Sequence, residues 1–142
     1  MADRTARVTW SGSLMEGGGT IDSAGSGAFG PLDVTWAART EDPEGRTSPE
    51  ELIAAAHASC FSMALSGALA KAGSPPDKLE TSATVTFVPG TGITKSALTV
   101  RGTVPGMDEA AFVEAAEDAK VNCPVSKALA ALPEITVDAA LA

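Results

Sequence analysis

The chain has no tyrosine, a single histidine and two cysteines, and only 4% of its residues are aromatic. With one histidine, any Ser-His-Asp hydrolase would have to be built on His57 alone. Two cysteines, Cys60 and Cys123, are too few for a disulfide framework or a zinc finger. Basic residues are scarce too: 10 Lys plus Arg stand against 18 Asp plus Glu, a formal charge of −8. No Lys/Arg run reverses that balance locally, so phosphate backbones are repelled and nucleic acid is not expected as a partner. Met1 to Trp10 contains no apolar stretch of the signal-peptide kind, so a cytoplasmic setting with both cysteines reduced at rest is expected. No internal repeat or low-complexity linker divides the 142 residues. A composition of 44% hydrophobic and 20% charged residues fits a single globular domain over 1–142.

One apolar run is long. No residue from Leu52 to Ala70 carries a formal charge, which approaches the length needed to span a bilayer. His57, Ser59, Ser62 and Ser66 interrupt it, alanine is the commonest of the other residues, and no basic flank or aromatic belt marks an interface. It reads as a helix buried on all sides, not as a membrane span. A chain this short covers such a helix poorly by itself, which points to a homodimer.

The expected architecture is α+β, in the order βββ-α-ββ-α-α-β. Val8 and Trp10 alternate with Arg7 and Thr9, and Leu32, Val34, Trp36 and Ala38 alternate with Asp33, Thr35 and Ala37, so both stretches read as strands. The Gly/Ser segment between them holds a short strand around Thr20–Asp22. Gly25 to Gly30 formally matches G-x-G-x-x-G, but Pro31 and a strand follow where a phosphate-binding helix would have to open, so it reads as a turn. Ser48-Pro49-Glu50-Glu51 is a strong helix start, and that helix should run from Pro49 to about Lys71, ending near Gly73. Two strands around Pro89–Gly92, a helix from about Asp108 to Lys120, a short helix capped by Cys123 and a final strand through Ile135 and Leu141 complete the chain.

Chemistry has few candidates. His57 lies three residues before Cys60, close enough on a helix for a Cys-His pair that would activate the thiol. The plainer reading is a partly buried histidine bonded to a nearby carbonyl. Cys60 sits mid-helix among Ala, Phe and Met, where any reactivity needs a cation from another segment; otherwise it is a buried, inert thiol. Cys123 precedes Pro124 and gains the dipole of the helix that it caps. Cys60, Cys123, His57 and a carboxylate could also be combined into a zinc site, although their spacing is not that of structural zinc.

The segment from Ser48 to Ser66, with His57-Ala58-Ser59-Cys60-Phe61 at its centre, resembles the central helix of the OsmC/Ohr family of thiol peroxidases. Asn122-Cys123-Pro124-Val125-Ser126 is similar to that family's second cysteine motif. Val104–Asp108 and Glu134–Asp138 also match, so the resemblance covers nearly the whole chain, most closely in the OsmC branch. It implies antiparallel sheets wrapped around a long central helix in an intertwined homodimer, and no cofactor. It further implies a peroxidase of stress defence that acts on organic hydroperoxides and, less efficiently, on hydrogen peroxide.

By the same resemblance Cys60 matches the peroxide-attacking cysteine, Cys123 the resolving one, Glu50 the active-site carboxylate and Arg39 the arginine beside the thiolate. A guanidinium next to Cys60 would convert a few per cent of thiolate at neutral pH into a majority. Cys60 would become a sulfenic acid, Cys123 would close a disulfide with it, and an external dithiol such as dihydrolipoamide would reduce that disulfide. Phe61, Met63 and Phe112 are the expected apolar surroundings for an alkyl peroxide. An aromatic residue stands at the position of His57 in the Ohr branch, so His57 is expected to be structural. A helical rise of ~1.5 Å per residue puts about 15 Å between the backbones of Glu50 and Cys60. Either the helix breaks between them, or Glu50 serves the Cys60 of a partner subunit.

Overall fold

Alternating side chains at the N-terminus build a three-stranded antiparallel sheet, β1 (Ala6–Ser11), β2 (Gly18–Ala24) and β3 (Leu32–Val34), in that order. The computed structural model describes residues 1–142, and the chain divides into two units, Met1–Leu52 and Ile53–Ala142. β2 is longer than its glycines suggest. At Gly19 a Cβ would fall 2.7 Å from the Trp10 ring, so the missing side chain lets the indole lie across the strand. The glycine-rich stretch after β2 is a turn, with Ala24 N–H donating to Phe29 O at 3.0 Å.

The first unit corrects one expectation. The strand ends at Val34, and Trp36–Thr40 forms a short helix, α1. Thr35 supplies the reason: its hydroxyl accepts the Ala38 N–H at 3.1 Å and so caps a helical turn that the alternating pattern conceals. The observed order is therefore βββ-α-α-ββ-α-α-β.

α2 (Pro49–Lys71) runs unbroken, as its local signals require. Ser48 Oγ accepts from Glu51 N–H at 3.1 Å, while the Glu51 carboxylate takes the Thr47 hydroxyl at 2.6 Å. At the other end Gly73, at φ +88°, lets Ser74 N–H reach Leu69 O and Gly73 N–H reach Ala70 O, which satisfies the last carbonyls of the helix.

In the second unit β4 (Lys78–Val88) and β5 (Gly92–Thr103) form a long hairpin. α3 (Glu109–Asn122) and α4 (Pro124–Ala128) then lead to β6 (Glu134–Leu141). β6 pairs with β5 in parallel, a departure from the expected antiparallel sheets. Parallel neighbours need a long crossover, and α3 with α4 provides it. Every fourth residue of α2, at His57, Phe61, Leu65 and Leu69, is buried. The three apolar members of this stripe pack with Leu98 and Val100 of β5 and with Phe112, Ala116 and Ala119 of α3.

The rest of α2 is not covered. It is long and apolar enough to cross a membrane by length and composition, yet only 22% of its most apolar window is buried within the chain. Met63, on the open side, is 73% exposed.

The packing of α3 on β5 depends on one missing side chain. A Cβ on Gly102 would run into the Phe112 ring, 2.6 Å from Cε2 and closer still to Cζ. Phe112 is fully buried and cannot swing out. Gly102→Ala should destabilise the fold by about 1–3 kcal/mol, read as a lower urea midpoint; an unchanged midpoint would contradict this packing.

Candidate active site

Pro124 decides where the second thiol sits. It has no N–H to continue α3, so the chain turns at Cys123, and Pro124 becomes the first residue of α4. Cys123 is held from both sides. Its N–H donates to Ala119 O at 2.8 Å, and its carbonyl accepts from Lys127 N–H at 3.0 Å. Its side chain is wholly buried. Cys60, half-buried on α2, meets it thiol to thiol, and both cysteines are reduced.

The surroundings of the two sulfurs differ. Burial pushes the Cys60 thiol up, the neighbouring Cys123 adds to this, and the Val125 N–H acts the other way. Burial alone would also raise Cys123. No well-aligned capping bond closes on its sulfur. Even so, the Ser126 N–H, the Cys60 thiol, the Ser126 hydroxyl and the Val125 N–H face it, and together they bring it below the ordinary cysteine value. Negative charge in the pair is thus favoured on Cys123. The family resemblance implies the opposite, a thiolate on Cys60 beside Arg39.

His57, one turn before Cys60, bonds to two serines and to no carbonyl. Its Nδ1 lies 2.6 Å from Ser96 Oγ on β5, and its Nε2 lies 2.8 Å from Ser126 Oγ on α4. All three residues are buried. Burial lowers the His57 pKa, which keeps the ring neutral. Both ring nitrogens are engaged, and nowhere do three His, Cys, Asp or Glu side chains gather as a metal site.

Arg39 and Glu50 meet within the first unit. Arg39 Nε donates to Glu50 Oε1 and Oε2 at 3.0 and 3.2 Å, and its Nη2 donates to Oε1 at 2.7 Å. The Trp36 ring lies 5.8 Å from the guanidinium carbon. Glu50 is buried, and its carboxylate fixes the plane of the arginine fork. Trp10, Leu14, Val34, Trp36, Arg39 and Pro49 line a cavity of about 200 Å³.

Phe61, Met63 and Phe112, the expected apolar surroundings, do not line that cavity. Phe61 and Phe112 are fully buried in the core and have no surface to offer a substrate. The sequence reading missed Trp10, Leu14, Ser96 and Ser126. A serine three residues beyond a cap cysteine was a usable signal for Ser126. Nothing local marks Ser96.

Residues 41–138 match the family described as OsmC-like protein. The chain is 44% identical over 138 residues to Peroxiredoxin OsmC of Escherichia coli (strain K12), covering 95% of this chain and 94% of that protein. The same figures hold for Peroxiredoxin OsmC of Shigella flexneri. Among solved structures it is similar to the organic hydroperoxide resistance protein OhrB of Bacillus subtilis, with 25% identity, a TM-score of 0.64 and coverage of 97% and 98% of the two chains. The OsmC-like protein of Mycoplasma pneumoniae shares the fold at 18% identity, with a TM-score of 0.69 and coverage of 99% of each chain.

The neutral, buried His57 makes stability depend on pH. Its folded pKa lies below the unfolded value of about 6.5. The stabilisation is therefore present above pH ~6.5 and is lost as pH falls from there through the folded pKa. Urea unfolding of wild type should weaken between pH 7 and pH 5.5, and His57→Gln should flatten that slope. Equal slopes in the two proteins would contradict a neutral, buried His57.

Proposed function

The chain belongs to the OsmC-like protein family, and from that premise we propose that it is a thiol peroxidase which reduces organic hydroperoxides, and hydrogen peroxide less efficiently. The observation that carries this reading is the thiol pair: a half-exposed Cys60 in contact with a buried Cys123. The sulfur that peroxide can reach attacks first. Cys60 takes the outer oxygen, the O–O bond breaks, and the alkoxide leaves with a proton as the alcohol. Cys60 is then a sulfenic acid.

Cys123 attacks that sulfur. The S–S bond forms, the S–O bond breaks, and the hydroxyl leaves as water before a second peroxide can over-oxidise Cys60. An external dithiol, of the dihydrolipoamide type, returns the disulfide to two thiols.

Burial opposes ionisation of Cys60, so its attack calls for a cation. Arg39 is the residue proposed to bring it. Its fork is held by Glu50, and a guanidinium can hold a thiolate and a peroxide oxygen together. The apolar cavity that Arg39 shares with Trp10, Leu14 and Trp36 suits an alkyl group better than a bare peroxide. The working form is a homodimer, because a second copy is what would cover the apolar face that α2 leaves open.

The test is consumption of cumene hydroperoxide with a dithiol as reductant. Wild type, sedimenting as a dimer, should turn over. Cys60→Ser should lose all turnover, and Cys123→Ser should reduce about one equivalent and stop with Cys60 oxidised. Full activity in Cys60→Ser would overturn the reading.

A further inference from the structure

A chain of buried polar side chains leads from His57 to the thiol pair. Ser96 Oγ sits 2.6 Å from His57 Nδ1, Ser126 Oγ sits 2.8 Å from Nε2, and the Ser126 hydroxyl faces the sulfur of Cys123. Three separate elements supply it: β5, α2 and α4. Burying a histidine and two serines costs free energy unless every polar atom is paired, and here none is left without a partner. Apolar side chains of the same size would brace these elements without that cost. The polar chain ends instead on a reactive sulfur.

We propose that His57 is a positioning residue for Cys123: acting through the Ser126 hydroxyl, it holds a hydrogen-bond donor on the resolving sulfur and so promotes disulfide closure. The proposal rests on the thiol-peroxidase reading and deepens its second step.

The direction of the chain follows from counting hydrogens. A neutral imidazole carries one N–H, and each serine hydroxyl carries one hydrogen. If the ring hydrogen is on Nε2, it donates to Ser126 Oγ, and the Ser96 hydroxyl donates to Nδ1. The Ser126 hydrogen is then left free to turn toward the Cys123 sulfur, the arrangement that favours a thiolate. With the hydrogen on Nδ1 every bond reverses, and the Cys123 thiol donates to Ser126 Oγ instead. His57 therefore decides whether Ser126 gives a hydrogen bond to Cys123 or takes one. The other polar groups facing Cys123 are the Cys60 thiol on α2 and the N–H groups of Val125 and Ser126, and those amides are fixed by the backbone of α4. The Ser126 hydroxyl is the one that His57 can turn.

In the step concerned, the Cys123 sulfur attacks the Cys60 sulfenic acid, the S–S bond forms and the S–O bond breaks. The departing hydroxyl carries the Cys123 proton away as water, and no further oxidant or reductant is used.

The absence of tyrosine makes the test clean. In a Cys60→Ser background the ultraviolet absorbance of the thiolate reports Cys123 alone. Adding Ser126→Ala should raise the titration midpoint by about one pH unit, the size expected for one hydrogen bond to a charged sulfur. His57→Phe should raise it similarly, and His57→Gln, which keeps an N–H near the place of Nε2, should restore most of the difference. In the presence of both cysteines, rapid-quench trapping after a pulse of cumene hydroperoxide should show disulfide closure slowed about tenfold relative to sulfenic acid formation, in Ser126→Ala and in His57→Phe. An unmoved midpoint in Ser126→Ala would overturn the proposal, as would equal slowing of both steps or a His57→Gln protein no better than His57→Phe. If wild type consumed no peroxide, the peroxidase reading would fall while the Cys123 titration still decided the role of His57.

Discussion

Pro124 cannot donate a backbone hydrogen bond, and the site depends on that one deficiency. It stops α3, turns the chain at Cys123 and opens α4, so the Cys123 backbone that carries the second thiol is fixed by hydrogen bonds on both of its sides. A freely rotating side chain on a loop would lose that precision. Cys60 needs no such device, because α2 already carries it on a rigid scaffold anchored by Phe61, Leu65 and Leu69. Two sulfurs brought together by independent rigid elements can close a disulfide with little rearrangement.

The electrostatics divide the labour between the two thiols. Cys123 is buried, but it faces amide and hydroxyl donors that favour its charge. Cys60 is more accessible, and its surroundings disfavour charge. A peroxidase reading needs the accessible sulfur to ionise, which makes a cation necessary. The chain offers a prepared one in Arg39, whose fork Glu50 holds by three hydrogen bonds. Because that carboxylate is buried, removing the arginine would strand a charge as well as remove a cation. The α2 helix is divided too: its buried stripe serves the core of its own chain, and its other sides are largely open.

Features set by neighbouring residues were legible in the sequence. The bounds of α2 follow from Ser48, Pro49 and Gly73, and the Cys123 cap follows from Pro124, because capping acts over four or five residues. The two cysteine motifs of the family resemblance lie in the same two segments. What failed depended on distant partners or on competition between local signals. Trp36 and Ala38 alternate like a strand, but one Thr35 hydrogen bond decides for α1. The parallel pairing of β6 with β5 is fixed by the path of α3 and α4, which no strand pattern records. Phe61 and Phe112 are legible as apolar side chains, yet local pattern does not distinguish a core wall from a substrate wall. The place of His57 on α2, one turn before Cys60, was legible, but its serine partners come from 39 and 69 residues away.

The central claim is an order of events: the accessible Cys60 meets peroxide first, and the buried Cys123 follows. Because the charge of the thiol pair favours Cys123, the order is open to direct contradiction. Wild-type protein mixed with one equivalent of cumene hydroperoxide, quenched early with a sulfenic-acid trap and mapped by mass spectrometry, reads it out. The account predicts the trapped adduct on Cys60, giving way to a Cys60–Cys123 disulfide when the trap is left out. An adduct found first on Cys123 would contradict it.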